Sequence, residues 1–213
     1  MIIAQTVNLG KSFQENVVFQ AVSIKFEAGK IYGLIGRNGS GKSVFMKCMA
    51  GLICPTSGYM EVLGKRIGRD VDFAEHTGIA IEQPGLLSRK SAYENMRILA
   101  SLTSKPSSLE ITNLLELVSL DPKEKKAVGK YSMGMKQRLG IAMALLGDPQ
   151  LLLLDEPMSN LDQVGTQQLR ILFQKLAQAG KTIVIATHIK DDIADLCNTL
   201  CHFADATVVI SEN

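Results

Sequence analysis

Gly36-Arg37-Asn38-Gly39-Ser40-Gly41-Lys42-Ser43 follows the apolar run Ile31-Tyr32-Gly33-Leu34-Ile35 and precedes a helical pattern running from Val44 to Ala50. A buried strand, a glycine-rich loop and a helix in that order form the setting of a phosphate-binding loop. Glycines accept positive φ and leave room for phosphate oxygens, so the loop can turn its N–H groups inward. The helix that opens near Gly41 adds its positive N-terminal end at the same point. Lys42 is then placed to reach the β- and γ-phosphates, and the Ser43 hydroxyl to ligate Mg²⁺. The whole stretch Gly36, Arg37, Asn38, Gly39, Ser40, Gly41, Lys42 and Ser43 is expected to bind a nucleoside triphosphate. The competing reading, a glycine-rich turn before an unrelated amphipathic helix, is disfavoured by the flanking strand and helix.

The remaining composition narrows the class. The 213 residues are 46% hydrophobic and 21% charged, an ordinary globular balance for one large domain or two small ones. A net charge of +2 offers no electrostatic footprint for nucleic acid. The run Lys123-Glu124-Lys125-Lys126 to Lys130 is short, broken by an acid, and reads as a solvated loop. The apolar stretches Ile141 to Leu146 and Leu151 to Leu154 fall far short of the roughly 20 residues that a membrane span requires. The N-terminus has no charged n-region followed by an apolar h-region, so no signal peptide is expected. Cys48, Cys54, Cys197 and Cys201 form no C-x-x-C pair. Reduced, mostly buried thiols in a cytoplasmic protein are expected rather than a zinc site.

Along the chain, residues 1–30 read as strands, with Val22 to Phe26 alternating as in a half-exposed antiparallel sheet. Ile79-Ala80-Ile81 is a short strand ending at Glu82-Gln83-Pro84-Gly85. Residues 91–147 read as helical, with Tyr93, Met96, Leu99, Ala100 and Leu102 on one face. Leu109, Leu114, Leu115, Leu117 and Val118 lie on another, stopped by Asp121-Pro122. Strands return at Leu151–Leu154 and Thr182–Ala186, separated by a helix from Gln163 to Gln178 with Gly180 as its glycine terminator. Alternating buried strands and helices predict an α/β fold with a mainly parallel sheet, an N-terminal antiparallel β part and an inserted helical lobe.

Leu151-Leu152-Leu153-Leu154-Asp155-Glu156-Pro157 is a buried strand ending in two carboxylates. Strand alternation sends their side chains different ways. Asp155 is assigned to Mg²⁺, held through water, and Glu156 to the attacking water. A helix N-cap is the competing role for Asp155. His188 follows the next buried strand, at the edge where ligands bind in such sheets, and is expected to contact the γ-phosphate. An ordinary polar strand end is its alternative. Gln83 ends a third strand at the same edge, where a neutral amide can touch Mg²⁺ or the water without adding charge.

Taken in order, these positions resemble the ATP-binding-cassette (ABC) ATPases along essentially the whole chain. Gly36 to Ser43 resembles the Walker A loop, Gln83 the Q-loop, and Leu151 to Glu156 the Walker B strand. Ser159-Asn160-Leu161-Asp162 resembles the D-loop and His188 the H-loop. Tyr131-Ser132-Met133-Gly134-Met135, followed by Lys136-Gln137-Arg138, sits where the family signature Leu-Ser-Gly-Gly-Gln lies. Tyr131, Met133 and Met135 depart from that signature, while Ser132 and Gly134 remain. The resemblance implies that Ser132 and Gly134 reach the nucleotide of an opposing subunit and that Asp162 joins the nucleotide-binding set. It also implies that Phe13, 29 residues before Lys42, lies under the adenine. The Ser-Met-Gly-Met-Lys-Gln-Arg form is similar to that of ATPases from bacterial exporters of peptide antibiotics such as bacitracin and lantibiotics.

What the resemblance implies is a single ABC ATPase domain over residues 1–213. Its α/β core would span 1–85 and 149–213, and its helical subdomain 86–148. The chain ends soon after Val209, so no regulatory C-terminal domain of the kind some importers carry is expected. The implied activity is Mg²⁺-dependent ATP hydrolysis by the ATPase subunit of a transporter, exporting a peptide or drug through a separate multi-span membrane subunit. Two ATPase subunits would sit head to tail, peripheral on the inner face of the cell membrane. Membrane docking is expected around Gly85, Leu86, Leu87 and Tyr93, with burial of the two leucines in the helical lobe as its competitor. A non-transport ATPase of the same fold acting on ribosomes or DNA is the alternative function. The single cassette and the lack of a long inserted coiled coil disfavour it. A nucleotide-binding regulator without turnover is disfavoured because Glu156 and His188 are both present.

Overall fold

A computed structural model describes residues 1–82, 85–102, 107–188 and 196–213. In chain order the strands are β1 (Ile2–Phe13), β2 (Asn16–Glu27), β3 (Ile31–Ile35), β4 (Ser57–Val62), β5 (Lys65–Arg66), β6 (Thr77–Ala80), β7 (Leu151–Asp155), β8 (Thr182–Ala186), β9 (Thr199–Ala204) and β10 (Thr207–Glu212). The helices are α1 (Lys42–Ala50), α2 (Ala92–Leu102), α3 (Ser108–Leu117), α4 (Met133–Ala144) and α5 (Gln163–Gln178). A 3₁₀ turn covers Val128–Lys130.

The first sheet is antiparallel, in the order β2-β1-β4-β5. Along β2 the buried Val22, Ile24 and Phe26 alternate with exposed residues, as the period of two requires. Phe19 is buried as well, although it lies three residues from Val22. The register shifts there, and Ala21 takes a positive φ of 52°, a bulge that returns the phase of the strand.

The second sheet has the order β10-β9-β3-β8-β7-β6. All its pairs are parallel except β10 with β9. Its central strands are buried on both faces. Leu152, Leu154, Ile183 and Ile185 pack with the helical lobe and α5, while Leu151, Leu153, Val184 and Ala186 pack with α1 and the antiparallel sheet. That two-sided burial explains the unbroken Leu151–Leu154 run. Phe19, Phe45 and Phe203 meet edge to face at 5.4–6.5 Å between centroids, joining β2, α1 and β9.

Helix α5 has the bounds that its apolar spacing predicts. Ala179 is its C-cap, and Gly180 follows at φ 92°, its N–H donating to the Ala177 carbonyl. In the helical lobe Met96, Ala100, Leu115 and Val118 are buried, but Leu102, Leu109 and Leu117, placed by their spacing on the same faces, are exposed. Strands β4, β5, β9 and β10 lie outside the strands that the sequence predicts. β4 carries Gly58 and buries two residues, and β10 has no buried residue, so neither presents a clear apolar period.

Candidate active site

Parallel packing brings the C-terminal ends of β3, β8 and β7 to one edge of the sheet. β8 lies between the other two, with Leu34 opposite Ala186 and Asp155 opposite Ala186. The loop after β3, the carboxylates after β7 and His188 after β8 therefore converge without any long connection. The loop and the carboxylates border a cleft of about 710 Å³, lined by Asn38, Gly39, Ser40, Gly41, Lys42, Ser43, Asp155 and Glu156, and by Phe13.

The glycine-rich loop is built to receive an anion. Gly39 and Gly41 take positive φ of 80° and 101°. A Cβ on Gly41 would lie 2.7 Å from Val18 Cγ1, so neither conformation nor space admits a side chain there. Gly41 is also the N-cap of α1, with no side-chain cap and no acid in the first turn. By contrast, α3, α4 and α5 are capped by Ser107, Ser132 and Asp162, and Ser91 with Glu94 forms a reciprocal cap on α2. Helix α1 thus leaves its first N–H groups and positive end free for phosphate oxygens. Lys42 is buried and donates to the Gly36 and Arg37 carbonyls at 2.7 and 3.0 Å. Gly36 and Arg37 line a second groove on the far side of the loop, with His202, Phe203 and Asp205.

Ser43 Oγ donates to Asp155 Oδ2 at 2.6 Å. Asp155 shares its strand phase with Leu151 and Leu153, whose side chains face α1, so alternation aims its carboxylate at the Ser43 turn. The N-cap role considered for Asp155 falls to Asp162, which accepts from Gly165 N at 2.7 Å. Among the described residues, no group of three or more His, Cys, Asp or Glu stands ready to hold a metal. One carboxylate plus one hydroxyl beside a phosphate loop is a donor set that fits Mg²⁺, which takes few protein ligands and completes its shell with phosphate and water.

Glu156 is the most constrained residue of the cleft. Its φ is 48°, a left-handed backbone that costs a non-glycine residue on the order of 1–3 kcal/mol. The neighbours hold it there. Its N–H donates to the Ala186 carbonyl at 2.8 Å, and its own carbonyl accepts from Ser159 N, Ser159 Oγ and Gln137 Nε2. Glu156 Oε1 lies 2.7 Å from His188 Nδ1. Among the described residues, Glu156 Oε2 and Ser40 Oγ are buried with no hydrogen-bond partner. Two orphaned polar atoms in one cleft, beside an uncapped helix, are the groups that a bound triphosphate and its water would satisfy.

Other sequence-predicted residues sit elsewhere or play a different local part. Phe13 is 47% exposed, with Lys11 Nζ 4.7 Å from its ring centroid, so it is no core residue of the antiparallel sheet. Ser132 accepts from Met135 N as the N-cap of α4. Gly134 packs so closely on the following loop that a Cβ would lie 2.8 Å from Asn160 O. Ser132, Gly134 and Asp162 do not line the cleft of their own chain. Gln83 lies outside the described residues, as does Pro84. Leu86 and Tyr93 pack against the lobe core, whereas Leu87 is exposed. Val18, Glu82, Met133, Gln137, Ser159 and Asn160 also line the cleft. Met133 and Gln137 belong to the signature segment, Ser159 and Asn160 to the D-loop segment, and Glu82 adjoins Gln83. Val18 carried no sequence signal, being one apolar strand residue among many.

A model of the ABC transporter family matches residues 19–159. The chain is 38% identical to the bacitracin transport ATP-binding protein BcrA of Enterococcus faecalis, over 93% of this chain and 65% of that protein. It thus spans just under two thirds of that relative's length. It is 37% identical to the lantibiotic transport ATP-binding protein SrtF of Streptococcus pyogenes, over 96% of this chain and 88% of that one. A solved ATP-binding subunit of an ABC transporter superposes with a TM-score of 0.88 at 25% identity, covering 99% of this chain and 90% of the other.

Proposed function

We propose, from the premise that the chain belongs to the ABC transporter family, that it is the ATP-hydrolysing subunit of a transporter that exports a peptide or drug. The observation that carries the reading is the pairing of Ser43 with Asp155 and of Glu156 with His188 beside one phosphate-loop cleft. The α1 N-terminus and Lys42 take the phosphates, Lys42 by turning from the Gly36 and Arg37 carbonyls. Ser43 and Asp155, with Gln83, would hold Mg²⁺, which when bound supplies charge neutralisation on the phosphate oxygens. Glu156 orients the attacking water and accepts its proton. His188 holds the Glu156 carboxylate on one oxygen and is placed to meet the γ-phosphate. Phe13 stacks on the base.

No helix among the described residues is long and apolar enough to cross a membrane. In the proposed reading a separate multi-span membrane subunit carries the transport path and holds this chain on the inner face of the membrane. The names of the bacitracin and lantibiotic relatives support export of a peptide. In the proposed head-to-tail pair, Ser132 and Gly134 serve the nucleotide of the opposite subunit, and Asp162 belongs to the nucleotide-binding set. The domain reading that fits is one unit, with a core of residues 1–85 and 149–213 and a helical lobe of 86–148. Glu156→Gln tests the chemistry. It keeps the shape but cannot take a proton, so ATP binding is retained while turnover falls to near zero and an ATP-bound dimer accumulates, seen by sedimentation. Near-parental turnover would remove Glu156 from the water-activating role.

A further inference from the structure

Helix α4 and the loop after β7 meet along a seam at the edge of the nucleotide cleft. Gly134 lies against the Asn160 carbonyl, too close for a side chain. One turn on, Gln137 Nε2 donates to the Glu156 carbonyl at 3.3 Å. Arg138 then donates to Gln168 Oε1 at 2.9 Å and to the Val118 carbonyl at 2.8 Å. The first two contacts seat the start of α4 against the turn that presents Glu156, and Arg138 ties it to α5 and to the end of α3, within one chain.

Among the described residues, the Glu156 backbone has three tethering residues: Ala186, Ser159 and Gln137. Ala186 and Ser159 belong to the α/β core, and Gln137 belongs to the helical lobe. A left-handed backbone at a non-glycine residue persists only where its surroundings over-determine it. The direction of the Glu156 side chain, and so its 2.7 Å contact with His188, follows from that backbone. We propose that Gln137 is a positioning residue for Glu156: its amide, donated across the lobe boundary, holds the Glu156 turn in the conformation that aims the carboxylate. This rests on the reading of Glu156 as the residue that orients the water. It makes the aim of that carboxylate dependent on the seating of α4 against its own core.

Gln137→Met keeps the length of the side chain and removes the donor. Gln137→Lys keeps a donor, one bond farther out on a flexible stem. In Gln137→Met, kcat for ATP falls about three- to tenfold, the factor a single hydrogen bond governs. The dissociation constant for MgATP stays within about twofold of the parent, because a residue acting on the aim of Glu156 does not hold the ground-state nucleotide. In the absence of nucleotide, amide exchange quickens over residues 156–160 and not along α4. Gln137→Lys restores both readouts. The proposal is overturned if Gln137→Met matches the parent in exchange and kcat, if it loses nucleotide affinity instead of kcat, or if exchange rises throughout α4. Glu156→Gln runs alongside: if that variant turns over normally, the role of Glu156 is wrong, and the exchange data still judge the Gln137 contact.

Discussion

Replacing Phe13 by alanine separates a base-stacking ring from a packing ring. Full burial of a Phe side chain is worth about 1.5–3 kcal/mol, so a ring that is 47% exposed stabilises the fold by about 1 kcal/mol. The Lys11 ammonium 4.7 Å from its centroid adds about 0.5–1 kcal/mol at an exposed site. A total near 1–2 kcal/mol lowers the melting temperature of a domain this size by about 2–8 °C. A fully buried Phe would instead cost about 3–5 kcal/mol on truncation to Ala. Stacking on a base is worth about 1–3 kcal/mol, so nucleotide affinity falls about tenfold or more. Phe has no hydroxyl with which to read base edges, and any base offers a π-face, so ATP and GTP bind the parent with similar affinity and lose affinity alike. Titration calorimetry with both nucleotides, beside a thermal melt of parent and variant, gives every quantity. A large fall in melting temperature with unchanged affinity in the folded fraction would refute the stacking role.

Lys42→Ala removes nucleotide binding by the single subunit, because the point charge on the phosphates is lost. Ser132→Asp keeps the α4 cap, which Ser→Arg would forfeit at about 1 kcal/mol. It leaves subunit binding intact while blocking ATP-driven dimerisation by facing a phosphate with a carboxylate, and equal loss of subunit binding in both variants would exclude the two-subunit sandwich. Gly78→Ala drives a Cβ into the Ala144 carbonyl and to 2.8 Å from Leu152 Cδ2, so the melt should show a loss of about 1–3 kcal/mol. Burial pushes the Cys48 thiol up to about 11 and, helped by Cys197, the Cys201 thiol up to about 12. At pH 8 a maleimide therefore labels the exposed Cys54 first, and mass spectrometry finds Cys48 and Cys201 unmodified until unfolding. The neutral buried thiols stabilise the fold fully below the ordinary thiol value of 9.0. As pH rises from there toward 11 and 12 the unfolded chain releases the protons first, so melting temperature falls across that window.

Much of the molecule is local chemistry, and local chemistry is legible in a sequence. The Gly36–Ser43 loop declares itself because only glycines fit its turns. The Leu151–Leu154 run declares a strand buried on both faces, and Asp155 follows from its alternation. Helix α5 carries its cap, its period and its terminating glycine within one continuous segment. Strand β9 could not be read in this way, because it pairs with β3, more than 160 residues earlier, and β10 pairs only with β9 and buries nothing of its own. The contacts that complete the site are of the same non-local kind. Ser43 with Asp155 and Glu156 with His188 each join separate parts of the chain, and parallel strand order alone brings them within hydrogen-bonding reach. The left-handed backbone of Glu156, its tether to Gln137 across the lobe boundary, and the packing of Gly134 on Asn160 have no local signature. They depend on contacts between β7, β8 and the helical lobe, which burial in three dimensions decides rather than any run of residues.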